Sequence, residues 1–260
     1  MTLERAAAPL AMLRAQTTLE LRLTLRRGES VLVTLIIPVL LLVFFSTVAV
    51  GGQPTLPGVA AARPLDALLP GILALAVMST AMVSLGIATA FERQYGVLKR
   101  LGGSPLPRPV LLGAKILSVL ALELAQVLLL VGVAAALGWR PVGGPLLFAL
   151  AAVALLLGTA AFGGLGLWMA GSWRAEATLA GTNGLYLVLL LLGGIVVPAA
   201  NLPAPLDAVA ALLPSSALAG VLRFALNWTP GPHSVILDFT LLCLWAVFAP
   251  LLAARTFRWE

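Results

Sequence analysis

Few residues in this chain are equipped for chemistry. His233 is the only histidine and Cys243 the only cysteine, so no His/Cys set of the kind that holds zinc can assemble. No serine lies in a Gly-x-Ser-x-Gly elbow beside a base, and the Gly-x-x-x-x-Gly-Lys-Ser/Thr loop that cradles phosphates is absent. No catalytic residue and no metal site is expected. The polar residues that stand out do so by position. Glu123 and Gln126, three residues apart and so on one helix face, lie inside an apolar run, and Asn183 lies inside another. A charge at the centre of a membrane helix costs roughly 2.5–3.5 kcal/mol on insertion scales. Glu123 therefore has two readings of equal weight: a carboxyl paired with Gln126 or a neighbouring helix as structural glue, or a group facing a substrate cavity or gate. Asn183 leans toward packing, and Asp238, near a run boundary, toward simple hydration.

The second group of candidates is a charged stretch, Glu92-Arg93-Gln94-Tyr95-Gly96-Val97-Leu98-Lys99-Arg100-Leu101. Phe91, Tyr95 and Leu98 recur at helical spacing, with the charges largely off that stripe. Gly102-Gly103 stops the helix, and Pro105, Pro107 and Pro109 stiffen the next few residues. The spacing predicts a short charged helix on a rigid turn. It is either a basic loop that fixes topology or a docking element for a partner.

The elements that must hold these residues are membrane spans. Of 260 residues 61% are hydrophobic and 10% charged, too few charges for the polar shell of a soluble domain of this size. A disordered chain and a disulfide scaffold are excluded on the same counts. Six runs are long enough to cross a bilayer: 31–50, 68–91, 110–137, 145–170, 178–197 and 234–254. They are continuously apolar, which argues against a β-barrel, and the first is too long and too late for a signal peptide.

The net charge of +6 is a matter of sidedness, not of nucleic-acid binding. With a cytoplasmic N-terminus, thirteen cations fall inside, from Arg5, Arg14, Arg22, Arg26 and Arg27 through Arg93, Lys99, Arg100, Arg108, Lys115 and Arg174 to Arg255 and Arg258. Three, Arg63, Arg140 and Arg223, fall outside. That is a positive-inside pattern with both termini cytoplasmic. Residues 1–29 read as an arginine-rich topogenic tail or, with their leucines, as an interfacial helix moving with the first span. The segment 205–226 is apolar but broken by Pro214, and it reads as short, partly re-entrant helices in an outer loop over 198–233. Glycines crowd the fourth and fifth runs (Gly158, Gly163, Gly164, Gly166, Gly171, Gly181, Gly184, Gly193, Gly194), for close internal packing before a dimer face. Trp139, Trp168, Trp173, Trp228 and Trp259 sit near run ends, where indoles anchor.

These features together resemble the permease subunit of an ABC type-2 transporter, in its drug-resistance export branch. The first loop, Glu92 to Leu101 with Ser104-Pro105-Leu106, is similar to the family's Glu-Arg-Glu-x-Gly-Thr-Leu-Lys-Arg-Leu and Thr-Pro-Leu, departing at Gln94, Val97 and Gly102-Gly103. Further matches are Arg174-Ala175-Glu176-Ala177 leading to Asn183, Gly193-Gly194 and Pro198; Leu212-Leu213-Pro214 with Leu222-Arg223; and the tail Arg255-Thr256-Phe257-Arg258-Trp259-Glu260. The resemblance implies a single all-α transmembrane domain over 1–260, multi-pass in a bacterial cytoplasmic membrane. It implies pairing with a second permease, as homodimer or heterodimer, and contact with membrane lipid. Separate ABC ATPase subunits would carry ATP and magnesium, none being bound by this chain. Glu92, Arg93, Tyr95, Gly96, Leu98, Lys99, Arg100 and Leu101 would form the coupling helix over 92–109. The substrate would be a drug, a lipid or a lipid-linked molecule. A secondary transporter driven through Glu123 and a non-transporting membrane scaffold are the alternatives.

Overall fold

The computed structural model describes residues 8–26, 28–51, 64–103, 106–195, 203–227 and 234–257. Among them there are helices and no strand. Helix α1 (Pro9–Arg26) precedes α2 (Gly28–Gly51). Helix α3 (Pro64–Val77) runs without interruption through a π-helical segment (Met78–Ser84) into α4 (Leu85–Gln94). Then come α5 (Val97–Gly102), α6 (Arg108–Ala136), α7 (Pro145–Ser172), α8 (Ala175–Leu192), α9 (Ala204–Ala211), α10 (Pro214–Asn227) and α11 (Val235–Thr256).

The ends are set by local chemistry. Prolines sit in the first turn of α6 and α7, where a missing N–H costs nothing and φ is already helical. The Ser234 hydroxyl accepts from the Leu237 N–H at 3.2 Å and caps α11. Gly138 and Gly194, at φ +93° and +65°, follow α6 and α8 in a conformation that glycine adopts without strain.

Among the described residues, five helical segments are long and apolar enough to cross a membrane: Leu68–Gln94, Arg108–Ala136, Pro145–Ser172, Ala175–Leu192 and Val235–Thr256. The expected first span, 31–50, lies within α2, a helix of 24 residues whose apolar part among the described side chains is Thr34–Thr47. The expected outer-loop helices are α9 and α10, bent by 73° at the Leu212-Leu213 break. Helix α10 is buried along nearly all its length, against α3, α7 and α11.

Helix α7 is the hub, packed on the π-segment, α4, α10 and α11, and its glycines explain how. A methyl group on Gly164 would lie 2.5 Å from the Pro250 nitrogen, and one on Gly166 would lie 2.5 Å from the Met82 carbonyl. The glycine stripe on α7 serves internal packing, with backbones in near contact. Gly184 on α8 differs, having nothing within 4 Å.

Three expectations need correction. The loop after the second span is not one helix: α4 extends to Gln94, the chain turns at Tyr95-Gly96, and α5 starts anew at Val97, because Gly96 takes φ +72°. The fifth span begins earlier than Thr178, at Ala175, and closes at Leu192, where the Gly193-Gly194 turn ends it. Trp139 is 3% exposed and packs in the core instead of anchoring in lipid. Arg5, Arg27, Arg63, Ser104, Pro105, Pro198, Trp228, His233, Arg258, Trp259 and Glu260 lie outside the described residues.

Candidate functional site

The Gly96 turn makes a corner of the loop after the second span. Leu98 is fully buried and Leu101 half-buried, rooting α5 in the body. Tyr95 is 73% exposed and Val97 42%, with Lys99 and Arg100 exposed beside them. Phe91 stacks on Tyr95 with ring centroids 6.1 Å apart. The apolar stripe expected to run through Phe91, Tyr95 and Leu98 is thus split: Leu98 faces in and Tyr95 faces out.

Three consecutive residues tie this corner to different neighbours, since each helical step turns the side chain by about 100°. Glu92 Oε2 accepts from Lys115 Nζ of α6 at 2.6 Å. The Arg93 guanidinium donates to the Trp173 carbonyl in the α7–α8 turn. Gln94 Nε2 donates to Glu176 Oε1 of α8 at 2.8 Å. Beneath them Ala90, Ala170 and Ala175 pack with Phe91. Glu92 and Arg93, both expected to face a partner, are therefore turned to the protein itself. The outward face belongs to Tyr95, Val97, Lys99 and Arg100.

Lys115 is the residue that sequence reasoning passed over. It is 1% exposed, and its ammonium also donates to Glu20 Oε2 of α1 at 2.9 Å. Glu20 Oε1 accepts in turn from Gln16 Nε2 at 2.9 Å. Gln16 and Glu20 are the buried residues of α1 among those described, while Leu10, Leu19, Leu23 and Leu25 are exposed. Helix α1 thus turns Gln16 and Glu20 to the protein, with Leu13 half-buried beside them, and those four leucines outward. A basic residue at a span's start reads as a topology signal, so the sequence carried no mark of this role beyond the presence of acids at Glu20 and Glu92.

At mid-span Glu123 and Gln126 are both buried, but they do not pair with each other. Gln126 Nε2 donates to the Thr34 carbonyl of α2 at 2.9 Å, and Thr80 Oγ1 of the π-segment donates to Gln126 Oε1 at 3.2 Å. Pro38 lies four residues after Thr34 within α2 and has no N–H to give that carbonyl. Gln126 supplies the missing donor. The Thr159 hydroxyl of α7 donates to Glu123 Oε2, and Glu123 Oε1 has no hydrogen-bond partner among the described residues. Asn183 is exposed on α8 and bonds only locally in the described contacts, Nδ2 to the Leu179 carbonyl at 2.7 Å.

The same arrangement recurs at the opposite end of the continuous α3–α4 helix. Asn227 Nδ2 of α10 donates to the Asp66 carbonyl, four residues before Pro70 of α3. Arg223 of α10 donates to the Gly194 carbonyl. Asp238, expected to be hydrated, is instead 1% exposed, because α10 lies over it: a methyl on Gly220 would collide with its carboxylate. No group of three or more metal-ligating residues occurs among the described residues.

The family described as ABC-2 type transporter matches residues 13–226, from α1 through α10. No curated protein matches the chain.

Proposed function

We propose, from the premise that this chain belongs to the ABC-2 type transporter family and is a membrane permease component, that it is the export subunit of an ATP-driven pump. Two permeases pair, two separate ATPase subunits dock beneath them, and ATP-driven closure rocks the pair between inward- and outward-facing states. The membrane is the bacterial cytoplasmic membrane, with both termini inside. The substrate is an apolar or amphiphilic molecule: a drug, a lipid or a lipid-linked glycan.

The observation that supports this best is the corner at Gly96. Its apolar roots are buried while Tyr95, Val97, Lys99 and Arg100 project, and its other side chains grip α6, α7 and α8. A push on the projecting face is delivered to three spans at once. Pairing is supported by the outward face of α8, where Asn183 and Gly184 are exposed between Leu179 and Leu187. An amide facing lipid is unfavourable, and a small residue beside it admits close approach of a second helix.

The test is purification from membranes together with a co-expressed candidate ABC ATPase. Lys99→Glu with Arg100→Glu should abolish co-purification, whereas Arg93 is left intact because it holds the α7–α8 turn. Unchanged assembly and unchanged ATP turnover in that variant would overturn the coupling assignment. Transport that persists without any ATPase and collapses with an uncoupler would instead favour an ion-gradient carrier.

A further inference from the structure

We propose that Lys115 is a positioning residue that clamps α1 and the coupling corner to α6, so that the three move as one body. The inference rests on the reading of residues 92–101 as the ATPase-coupling element. Two carboxylates from elements far apart in sequence converge on one ammonium, Glu20 at 2.9 Å and Glu92 at 2.6 Å. The ammonium is 1% exposed and the two carboxylate side chains 10% and 15%. Ion pairs this shielded are screened little by salt, and they persist only where geometry is good and remaining acceptors are met. Here Gln16 meets the second oxygen of Glu20.

The way α1 is attached gives the clamp its consequence. Among its described residues, those buried are Gln16 and Glu20, with Leu13 half-buried beside them near Gly113 of α6, so the best-shielded part of this contact is polar while Leu10, Leu19, Leu23 and Leu25 face outward. An apolar seam permits sliding, because its attraction has no direction. A charge-assisted hydrogen bond fixes a distance and an angle. Glu92 stands three residues before the turn that begins at Tyr95, so the same ammonium fixes the corner. Displacement of the corner is then displacement of α1, whose exposed leucines carry it along the bilayer surface.

The full-length chain in lipid nanodiscs, with Cys243→Ser as background, takes spin labels at Thr18→Cys of α1 and Val97→Cys of α5, both exposed positions. Pulsed dipolar measurement should give one narrow α1–α5 distance. Lys115→Met should lose that single peak. Glu20→Leu, which removes both acceptor oxygens and leaves the Glu92–Lys115 bond in place, should lose it equally, and serves if Lys115→Met does not fold. Lys115→Arg, whose guanidinium can bond both carboxylates, should restore it. In the complex with ATPase subunits Val97, on the docking face, is left unlabelled and Thr18→Cys is read against exposed Leu146→Cys; there Glu20→Leu should keep the partner bound while the ATP-driven displacement of α1 is lost. A peak that stays narrow in Lys115→Met or Glu20→Leu would overturn the clamp. Failure of any ATPase to bind the native chain would overturn the coupling reading instead, and the nanodisc distances would still decide the clamp.

Discussion

Two knots of this molecule, one toward the start of α6 and one at its middle, solve one problem with different chemistry. Toward the start Lys115 gathers two carboxylates from α1 and α4. At mid-span Gln126 gathers a carbonyl of α2 and a hydroxyl of the π-segment. Both residues belong to α6 and both join elements that share no long apolar seam. Near the interface, water and headgroups ease the cost of bringing charges together. At bilayer depth a charge is expensive, and a neutral amide with both ends satisfied is the tolerable substitute. Depth selects the chemistry of the bridge, while the topology that requires a bridge is the same.

The largest effect is expected at the Lys115 knot. Lys115→Met leaves two partly buried carboxylates without their cation, and breaking such a pair from one side costs about 3–5 kcal/mol. The variant should unfold markedly earlier in a thermal melt in detergent, and a loss under about 1 kcal/mol would show the charges to be well hydrated. Gln126→Leu should cost less, about 1–2 kcal/mol, because cross-helix bonds in membranes are worth about 0.6 and at most about 1.7 kcal/mol each. A double-mutant cycle sharpens that figure. Pro38→Ala gives Thr34 a backbone donor of its own, so in that background Gln126→Leu should lose about 1 kcal/mol less. Equal losses in both backgrounds would mean that Gln126 does not serve the Thr34 carbonyl. The smallest effect is expected from Glu123→Gln. It keeps an oxygen for the Thr159 hydroxyl and should shift stability by under about 1 kcal/mol. Transport lost at unchanged stability would instead place Glu123 on the substrate path.

Much of this was legible in the residues. Long apolar runs separated by Gly, Pro and Arg can only be membrane helices, and positions were missed by a few residues where a cap or a glycine turn decided the end. The loop after the second span was visible as a charged segment, but its break was not: the Phe91–Tyr95–Leu98 spacing is helical, and a single Gly96 overrides it by turning left-handed. The facing of Glu92 was illegible for another reason. An exposed acid and a buried one look the same until the helix phase is known, and that phase depends on the π-segment upstream. The partners of Gln126 and Asn227 did leave a trace. Each serves the carbonyl four residues before an intrahelical proline, Pro38 or Pro70. A proline in one span is thus a reason to search other helices for an amide.

The π-helical turn at Met78–Ser84 behaves like a spare link in a chain. Its i→i+5 bonding takes up one residue more per turn than an α-helix, so everything downstream is set back by one step of about 100°. Were the turn to tighten into α-helix without loss of a residue, Phe91 would swing into the place Glu92 now holds, and Lys115 would meet a ring. Removing one residue from the turn should do no such thing, for it subtracts the link and leaves both ends in phase. The bulge therefore acts as a counting device, and the address of every side chain beyond it on that helix depends on its being counted.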